Sequence, residues 1–240
     1  MNPEVVERLL SLNRQFYQTF AAEFAATRQR LQPGVKRLLA RIALAKHILD
    51  LGCGNGELAH ALEQRGWRGA YVGLDFSEAM LTQARQRVRS SLLITFHHTD
   101  LAHPTWEAHL PMASFDLVLA FAVLHHLPAS ALRCQVLHKV HALLKPNGTF
   151  IHSEWQFLNS PRLRMRIQPW ETIELRPEQV EAGDYLLDWR HGGWGLRYVH
   201  HFSEGELERL AEECGFTILE TFVSDGEGGN LGLYQIWQRM

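Results

Sequence analysis

Ile48-Leu49-Asp50-Leu51-Gly52-Cys53-Gly54-Asn55-Gly56 decides how this chain is read. A buried strand runs into three glycines at alternate positions, and a helical stretch follows. Glycine there lets the backbone turn tightly and approach a ligand with no Cβ in the way. Outward from this loop, short apolar runs alternate with helical stretches. The expected strands are His47–Leu51, Ala70–Asp75, 93–97, 116–121 and 148–152. Ser77 caps a helix whose inner stripe is Met80, Leu81, Ala84 and Val88. A longer helix is expected over 129–144, stopped by the turn Lys145-Pro146-Asn147-Gly148. Such alternation predicts a parallel, doubly wound sheet.

Toward the N-terminus, residues 4–30 read as one amphipathic helix, with Leu9, Leu12, Phe16, Phe20 and Phe24 on one face until Pro33-Gly34 breaks it. Beyond Ile151 the alternation lapses. Pro161, Pro169, Pro177 and Gly183 punctuate an irregular stretch with a glycine-rich tip at Gly192-Gly193-Trp194-Gly195. Order resumes where Ser203 and Glu206 form a capping box, Leu207, Leu210 and Ala211 an inner face, and Gly215 a stop. Strands over 216–223 and 231–238, joined by a turn at 225–230, close the chain. The simplest organisation is one domain, 1–240: an N-terminal helix (1–34), a core (47–152), an inserted lid (153–202) and a closing helix with two strands (203–240).

Composition bounds the function. The 240 residues are 46% hydrophobic, enough for a sizeable core, and the formal charge of −2 gives no global field that draws in nucleic acid or membrane. Cys53, Cys134 and Cys214 form neither a disulfide framework nor a C-x-x-C zinc pair. The first ten residues lack the apolar core of a signal peptide, and no apolar run reaches membrane-spanning length, so a cytoplasmic protein without membrane attachment is expected. Among the fourteen histidines, His97, His98 and His103 with Asp100 lie close together, but no pair has metal-ligand spacing and no metal is expected.

The glycine spacing separates cofactors. The dinucleotide fingerprint G-x-G-x-x-G needs glycine at position 57, where this chain has glutamate. The pattern present, D-x-G-x-G-x-G, resembles motif I of the class I S-adenosylmethionine (SAM) methyltransferases. Asp75, ending the second strand in Tyr71-Val72-Gly73-Leu74-Asp75-Phe76-Ser77, stands where a carboxylate can accept both ribose hydroxyls. Asp100 in His98-Thr99-Asp100-Leu101 matches the family's adenine-contacting acid. Phe115-Asp116-Leu117-Val118 and Leu144-Lys145-Pro146-Asn147-Gly148 resemble its later motifs. The resemblance implies a Rossmann-like α/β fold with a mostly parallel seven-stranded sheet, helices on both faces, and SAM as methyl donor. On the cofactor side it implies Asp50, Gly52, Cys53, Gly54 and Asn55 from the loop, Asp75 and Phe76, Asp100 and Leu101, then Ala120 and Tyr17.

Beyond the cofactor half, several segments are similar to the tRNA carboxymethyluridine methyltransferases, which esterify a wobble-uridine carboxylate. Ala122-Val123-Leu124-His125-His126 resembles their A-V-[IL]-H-H, and Gly183-Asp184-Tyr185-Leu186 with Trp189 their G-D-x-L-V-P-W. Arg197-Tyr198-Val199-His200-His201-Phe202-Ser203-Glu204-Gly205-Glu206-Leu207 matches R-Y-x-H-x-F-x-E-G-E-L, and Phe24 with Thr27-Arg28 matches F-x-x-T-R. The chain departs from the pattern at Asp188, where proline is usual, and at Asn230-Leu231, where Asn-Trp is usual. Eukaryotic members work with a small activator subunit, which makes such a subunit a candidate partner beside tRNA.

A carboxylate nucleophile needs no general base, because it is already anionic; it needs a cation to hold it. Arg28, one step beyond the Phe16–Phe20–Phe24 stripe, is a candidate, against the alternative of an arginine snorkelling over apolar surface. Arg197, Tyr198 and His200 are candidate substrate contacts, against a structural strand-edge cluster. His125 or His126 would be the base if the nucleophile were not a carboxylate; the other reading makes them a cofactor-pocket wall. Arg162, Arg164 and Arg166 with Trp155, Trp170, Trp189 and Trp194 suggest an RNA surface, offset by Glu171, Glu174, Glu178, Glu181, Asp184 and Asp188. The reading is a SAM-dependent O-methyltransferase of the tRNA type. The alternatives are a small-molecule methyltransferase and a SAM-binding regulatory module without catalysis.

Overall fold

The computed structural model describes residues 1–20, 23, 30–88 and 93–240. Its main sheet has seven strands: β1 (His47–Leu51), β2 (Ala70–Asp75), β3 (Ile94–His98), β4 (Phe115–Phe121), β5 (Leu144–Trp155), β9 (Phe216–Ser224) and β10 (Gly232–Arg239). Their spatial order is β3-β2-β1-β4-β5-β10-β9. All neighbours run parallel except β10, antiparallel to both β5 and β9. The order reverses direction between β1 and β4, and open α/β sheets form ligand crevices at the carboxyl end of such a point.

Alternation along the strands builds a core on each face. Leu49, Leu51, Val118 and Phe150 point to one side, against α5 (Ser130–Leu143) through Val136, Leu137 and Val140, and α7 (Glu204–Glu213) through Leu207 and Leu210. Ile48, Leu117, Leu119 and Ile151 point to the other, against α2 (Pro33–Ile42), α3 (Glu57–Gln64) and α4 (Glu78–Arg87). Burying each of these aliphatic side chains contributes about 1.5–3 kcal/mol. The helices over both faces and the strand order match the Rossmann-like expectation.

A second sheet stands where the sequence suggested irregular chain. After α6 (Pro161–Arg164), β6 (Ile167–Gln168), β7 (Asp184–Trp189) and β8 (Gly195–His200) pair antiparallel, and Gly192-Gly193-Trp194 tips the β7–β8 hairpin. The period-2 signal is hidden because polar side chains are buried on both faces of these strands: Asp184, Asp188 and His200 on one, Arg197 on the other. Together with the extension of β5 to Trp155, this corrects the expectation for 153–202.

Three smaller expectations change. Helix α1 (Pro3–Thr19), capped by Asn2, ends at Phe20, whose N–H bonds the Phe16 carbonyl, so the described helix stops well short of residue 30. The hairpin tip packs on that end: a Cβ at Gly195 would lie 2.4 Å from the Phe20 ring. Phe24, Thr27 and Arg28 lie outside the described residues. The Lys145-Pro146-Asn147-Gly148 turn is absorbed into the irregular start of β5, where Leu144 pairs with Phe115, the register then shifts, and Asn147 takes φ 60°. The capping box is half made: Ser203 Oγ accepts the Glu206 N–H at 3.2 Å, but the Glu206 carboxylate turns to His200 instead. No helix among the described residues is long and apolar enough to cross a membrane.

Candidate active site

A cavity of about 610 Å³ opens at the carboxyl ends of β1, β2 and β4 and extends to the second sheet. Its floor is the glycine loop. Gly52 and Gly54 have φ of +68° and +55°, and a Cβ at Gly52 would strike Val123 at 2.5 Å. At Gly54 the Cβ position is open, so the backbone there faces space rather than packed side chains. The loop is tied to β2 twice: the Cys53 N–H bonds the Leu74 carbonyl at 3.0 Å, and the Gly54 N–H donates to Asp75 Oδ2 at 2.9 Å. Asp75 Oδ1 accepts the Ser77 N–H at 2.9 Å. Burial still pushes the Asp75 carboxyl above its ordinary value.

Asp50 lies beneath the loop, buried, and accepts the Tyr71 hydroxyl. Burial drives its pKa up to about 7, and burial likewise raises the Cys53 thiol. Tyr17, Asn55, Phe76, Asp100 and Leu101 also line the cavity. Asp100 is held by Arg14 from α1, whose Nε donates to Oδ2 at 2.9 Å. Of the expected cofactor-side positions, Ala120 is the exception. It is fully buried in the core, and the adjacent Phe121 and Ala122 form the wall.

The other wall comes from the second sheet and from β5. The buried Arg197 guanidinium lies 4.6 Å from the Trp155 ring, 5.4 Å from Phe16 and 5.7 Å from Trp189. Such cation–π contacts hold an arginine in place while leaving its charge intact. Arg166 also lines the cavity. Tyr198 and His200 do not. They project from the opposite face of β8, where the Tyr198 hydroxyl and His200 Nδ1 both bond Asp184 Oδ1, at 2.6 and 2.7 Å. His200 Nε2 bonds Glu206 at 2.8 Å, and those two carboxylates raise the His200 pKa against the opposing effect of burial. Period-2 geometry therefore divides the Arg197-Tyr198-Val199-His200 segment: one residue reaches the cavity and two brace the scaffold.

Both histidines after β4 line the cavity, yet each is tied from behind. His125 Nδ1 accepts the Trp155 N–H at 3.3 Å and lies 2.9 Å from Glu154 Oε2. Burial pushes the Glu154 carboxyl well above its ordinary value. Its other oxygen takes the Nδ1 proton of His152 at 3.0 Å, a histidine held neutral because burial lowers its pKa to about 3. His125 Nδ1 is thus engaged by both the Trp155 backbone and the Glu154 carboxyl. His126 Nδ1 faces the Tyr198 carbonyl at 3.5 Å, and Nε2 accepts the Tyr17 hydroxyl at 2.7 Å. Glu154, Asn13 and Arg14 were missed by sequence reasoning. Asn13 bridges α1 to the Tyr198 backbone at 2.8 and 3.2 Å, and nothing local in the sequence marks such a contact. Among the described residues no cluster of His, Cys, Asp or Glu could hold a metal ion.

An α/β sheet of this order with a glycine loop over β1 and an acid ending β2 is the arrangement of a nucleoside-cofactor site. A family model for a methyltransferase domain matches residues 22–221. The chain belongs to that family and is a SAM-dependent methyltransferase of class I. It is 26% identical over 223 residues to a tRNA (carboxymethyluridine(34)-5-O)-methyltransferase of Schizosaccharomyces pombe, covering 86% of this chain and 89% of that one. It is 32% identical over 162 residues to a trans-aconitate 2-methyltransferase of Escherichia coli, covering 66% of this chain and 57% of that one. Among solved structures, the Burkholderia thailandensis 1,6-didemethyltoxoflavin-N1-methyltransferase, crystallised with its substrate and S-adenosylhomocysteine, shares the fold with a TM-score of 0.68 at 18% identity, over 100% of this chain and 91% of that one.

Proposed function

We propose that this enzyme methylates a carboxylate oxygen, and that the carboxylate is carried by a wobble uridine of tRNA. The observation that carries the reading is the contrast on the acceptor wall: a guanidinium fixed among three aromatic rings, beside two histidines whose nitrogens are engaged in the fold. A wall that offers a fixed cation, with both histidines hydrogen-bonded within the fold, suits a nucleophile that is already anionic. Arg197 holds that carboxylate through charge-assisted hydrogen bonds and orients one oxygen for in-line attack. Residues 153–202 serve as the substrate-side cover, excluding water around the pair.

The residues of the other wall fit SAM. The open backbone at Gly54 and the neighbouring Asn55 would hold its amino-acid part, Asp75 its ribose, and Asp100, Leu101 and Phe76 its adenine. When bound, the cofactor supplies a methyl group on a sulfonium. Asp75 is pre-aimed by two backbone N–H groups and keeps lone pairs to accept hydroxyls. Tyr17, hydrogen-bonded to His126, closes the cavity from α1.

Two similarities support a carboxylate acceptor: the fission-yeast and E. coli relatives are both named for substrates that bear one. The wider coverage of the tRNA enzyme favours RNA. A small activator subunit belongs to the same reading. The test uses RNA rich in carboxymethylated uridine, incubated with the protein and methyl-labelled SAM, digested to nucleosides and treated with mild alkali. Label released as methanol from a uridine nucleoside is the expected result, because methyl esters saponify while N-, C- and ribose-methyl groups do not. Alkali-stable label in a nucleoside overturns the carboxylate acceptor, and label only in small carboxylic acids overturns the RNA assignment.

A further inference from the structure

We propose that Arg162, Arg164 and Arg166 form a phosphate track that leads an RNA strand into the acceptor end of the cavity. The proposal rests on the RNA reading above and adds the surface that would deliver the substrate. Arg166 lines the cavity and is half-buried, while Arg162 and Arg164 are exposed on α6, the short helix that immediately precedes it. Leu163 anchors this helix, lining the cavity and packing on the cluster of Phe157, Leu187 and Val199. The three cations are therefore carried on a braced element that starts outside the cavity and ends within its wall.

Their charge is available. Among the described residues none of the three guanidinium groups makes an ion pair. Four of the six acids that balance them in sequence have partners elsewhere, while Glu171 and Glu178 are exposed and make no ion pair among the described residues. Glu181 binds Arg133, Asp184 accepts from Tyr198 and His200, Asp188 binds Arg190, and Glu174 pairs with Arg8. Of that offset, Asp184 and Asp188 are buried within the second sheet. What faces outward between Ser160 and Trp170 is positive, with no acid in that stretch.

A small carboxylic acid would fill the cavity near Arg197 and Arg166 and have no use for charges on the outer side of α6. A phosphodiester strand has one negative charge per nucleotide and extends outward from the modified base. Arginine matches phosphate geometry through its planar donor fork. The track is also local, which reconciles RNA binding with a chain whose formal charge is −2.

The test compares wild-type protein with the Arg162→Ala/Arg164→Ala variant. Both side chains are exposed, so SAM titration calorimetry serves as the control for folding. The probe is an anticodon stem–loop RNA carrying carboxymethyluridine, followed by anisotropy across a salt series, with the free carboxymethyluridine nucleoside as a second methyl acceptor. The variant should bind RNA roughly tenfold more weakly, with a log–log salt slope shallower by about 1.4, from about 0.7 per lost single-strand phosphate contact. Turnover on the nucleoside should be unchanged. RNA affinity and slope equal to wild type in a variant that binds SAM normally overturn the track and leave the RNA reading standing. Equal loss of nucleoside turnover also overturns it, because the arginines would then act on the cavity itself. A wild-type protein that ignores the RNA but methylates a small carboxylic acid removes the RNA reading, and the track with it.

Discussion

The two walls of the cavity are built by opposite rules. On the wall proposed for the cofactor, contiguous residues of one loop share one space: positions 52–55 line the cavity at the end of a strand, and one acid, Asp75, closes the next strand. On the acceptor wall, neighbours in sequence do different jobs. Arg197 enters the cavity while Tyr198 and His200 lock β8 to Asp184 and Glu206. A loop delivers consecutive backbone groups to one place, whereas a strand sends successive side chains to opposite faces. A sequence match across a loop therefore reports the site, and a match across a strand reports site and scaffold together.

Substituting the scaffold should produce the largest effect. His200→Ala leaves Asp184 and Glu206 facing a void, and breaking one partner of such a buried network costs about 3–5 kcal/mol. Urea unfolding of the variant checks this; an unchanged midpoint, with acceptor turnover lost instead, would move His200 to the site and break the comparison. Asp75→Ala removes hydrogen bonds to a charged acceptor and leaves the Gly54 N–H without its partner, so SAM affinity should fall by about 2–3 kcal/mol. Calorimetry with SAM reads it directly.

Arg197→Ala should leave SAM affinity near wild type and lower turnover on a carboxylate substrate by a factor of about 10–100. Loss of SAM binding in a folded variant would show that the two walls are not separable. A subtler effect is a pH dependence of stability. The Asp184 and Glu206 carboxylates raise the His200 pKa above its ordinary value of 6.5, so its favourable contribution is fully present below that value and is lost as pH rises through the higher folded value. Thermal midpoints measured upward from pH 6.5 should fall more steeply in wild type than in His200→Gln. The smallest effect is expected for His125→Asn, with turnover within a few-fold of wild type and no lost pH limb. A large loss with a vanished limb would restore the base mechanism.

Much of the parallel half was legible because its signals are local. β1 and β2 fall on their expected residues, and Ser77 caps α4 through the Met80 N–H at 3.4 Å. The second sheet was not legible. Its strands bury charge, and a period-2 reading counts apolar residues. Asp184 satisfies Tyr198 and His200 across strands that are adjacent only once folded. The same holds for Glu154, an ordinary acid in the sequence that lies between two histidines when β5 is buried, its carboxyl pushed up by that burial.

By itself the sequence determined the sheet's parallel core, the glycine loop and the acid at the end of β2, because turn geometry and strand burial are written in residues a few positions apart. Tertiary structure alone decided which of the polar residues after Ile151 face the cavity, since β-strand alternation and long-range ion pairing sort them. It also decided that His125 and His126 are held by their neighbours, because the proton on a ring nitrogen is set by the partner across the fold.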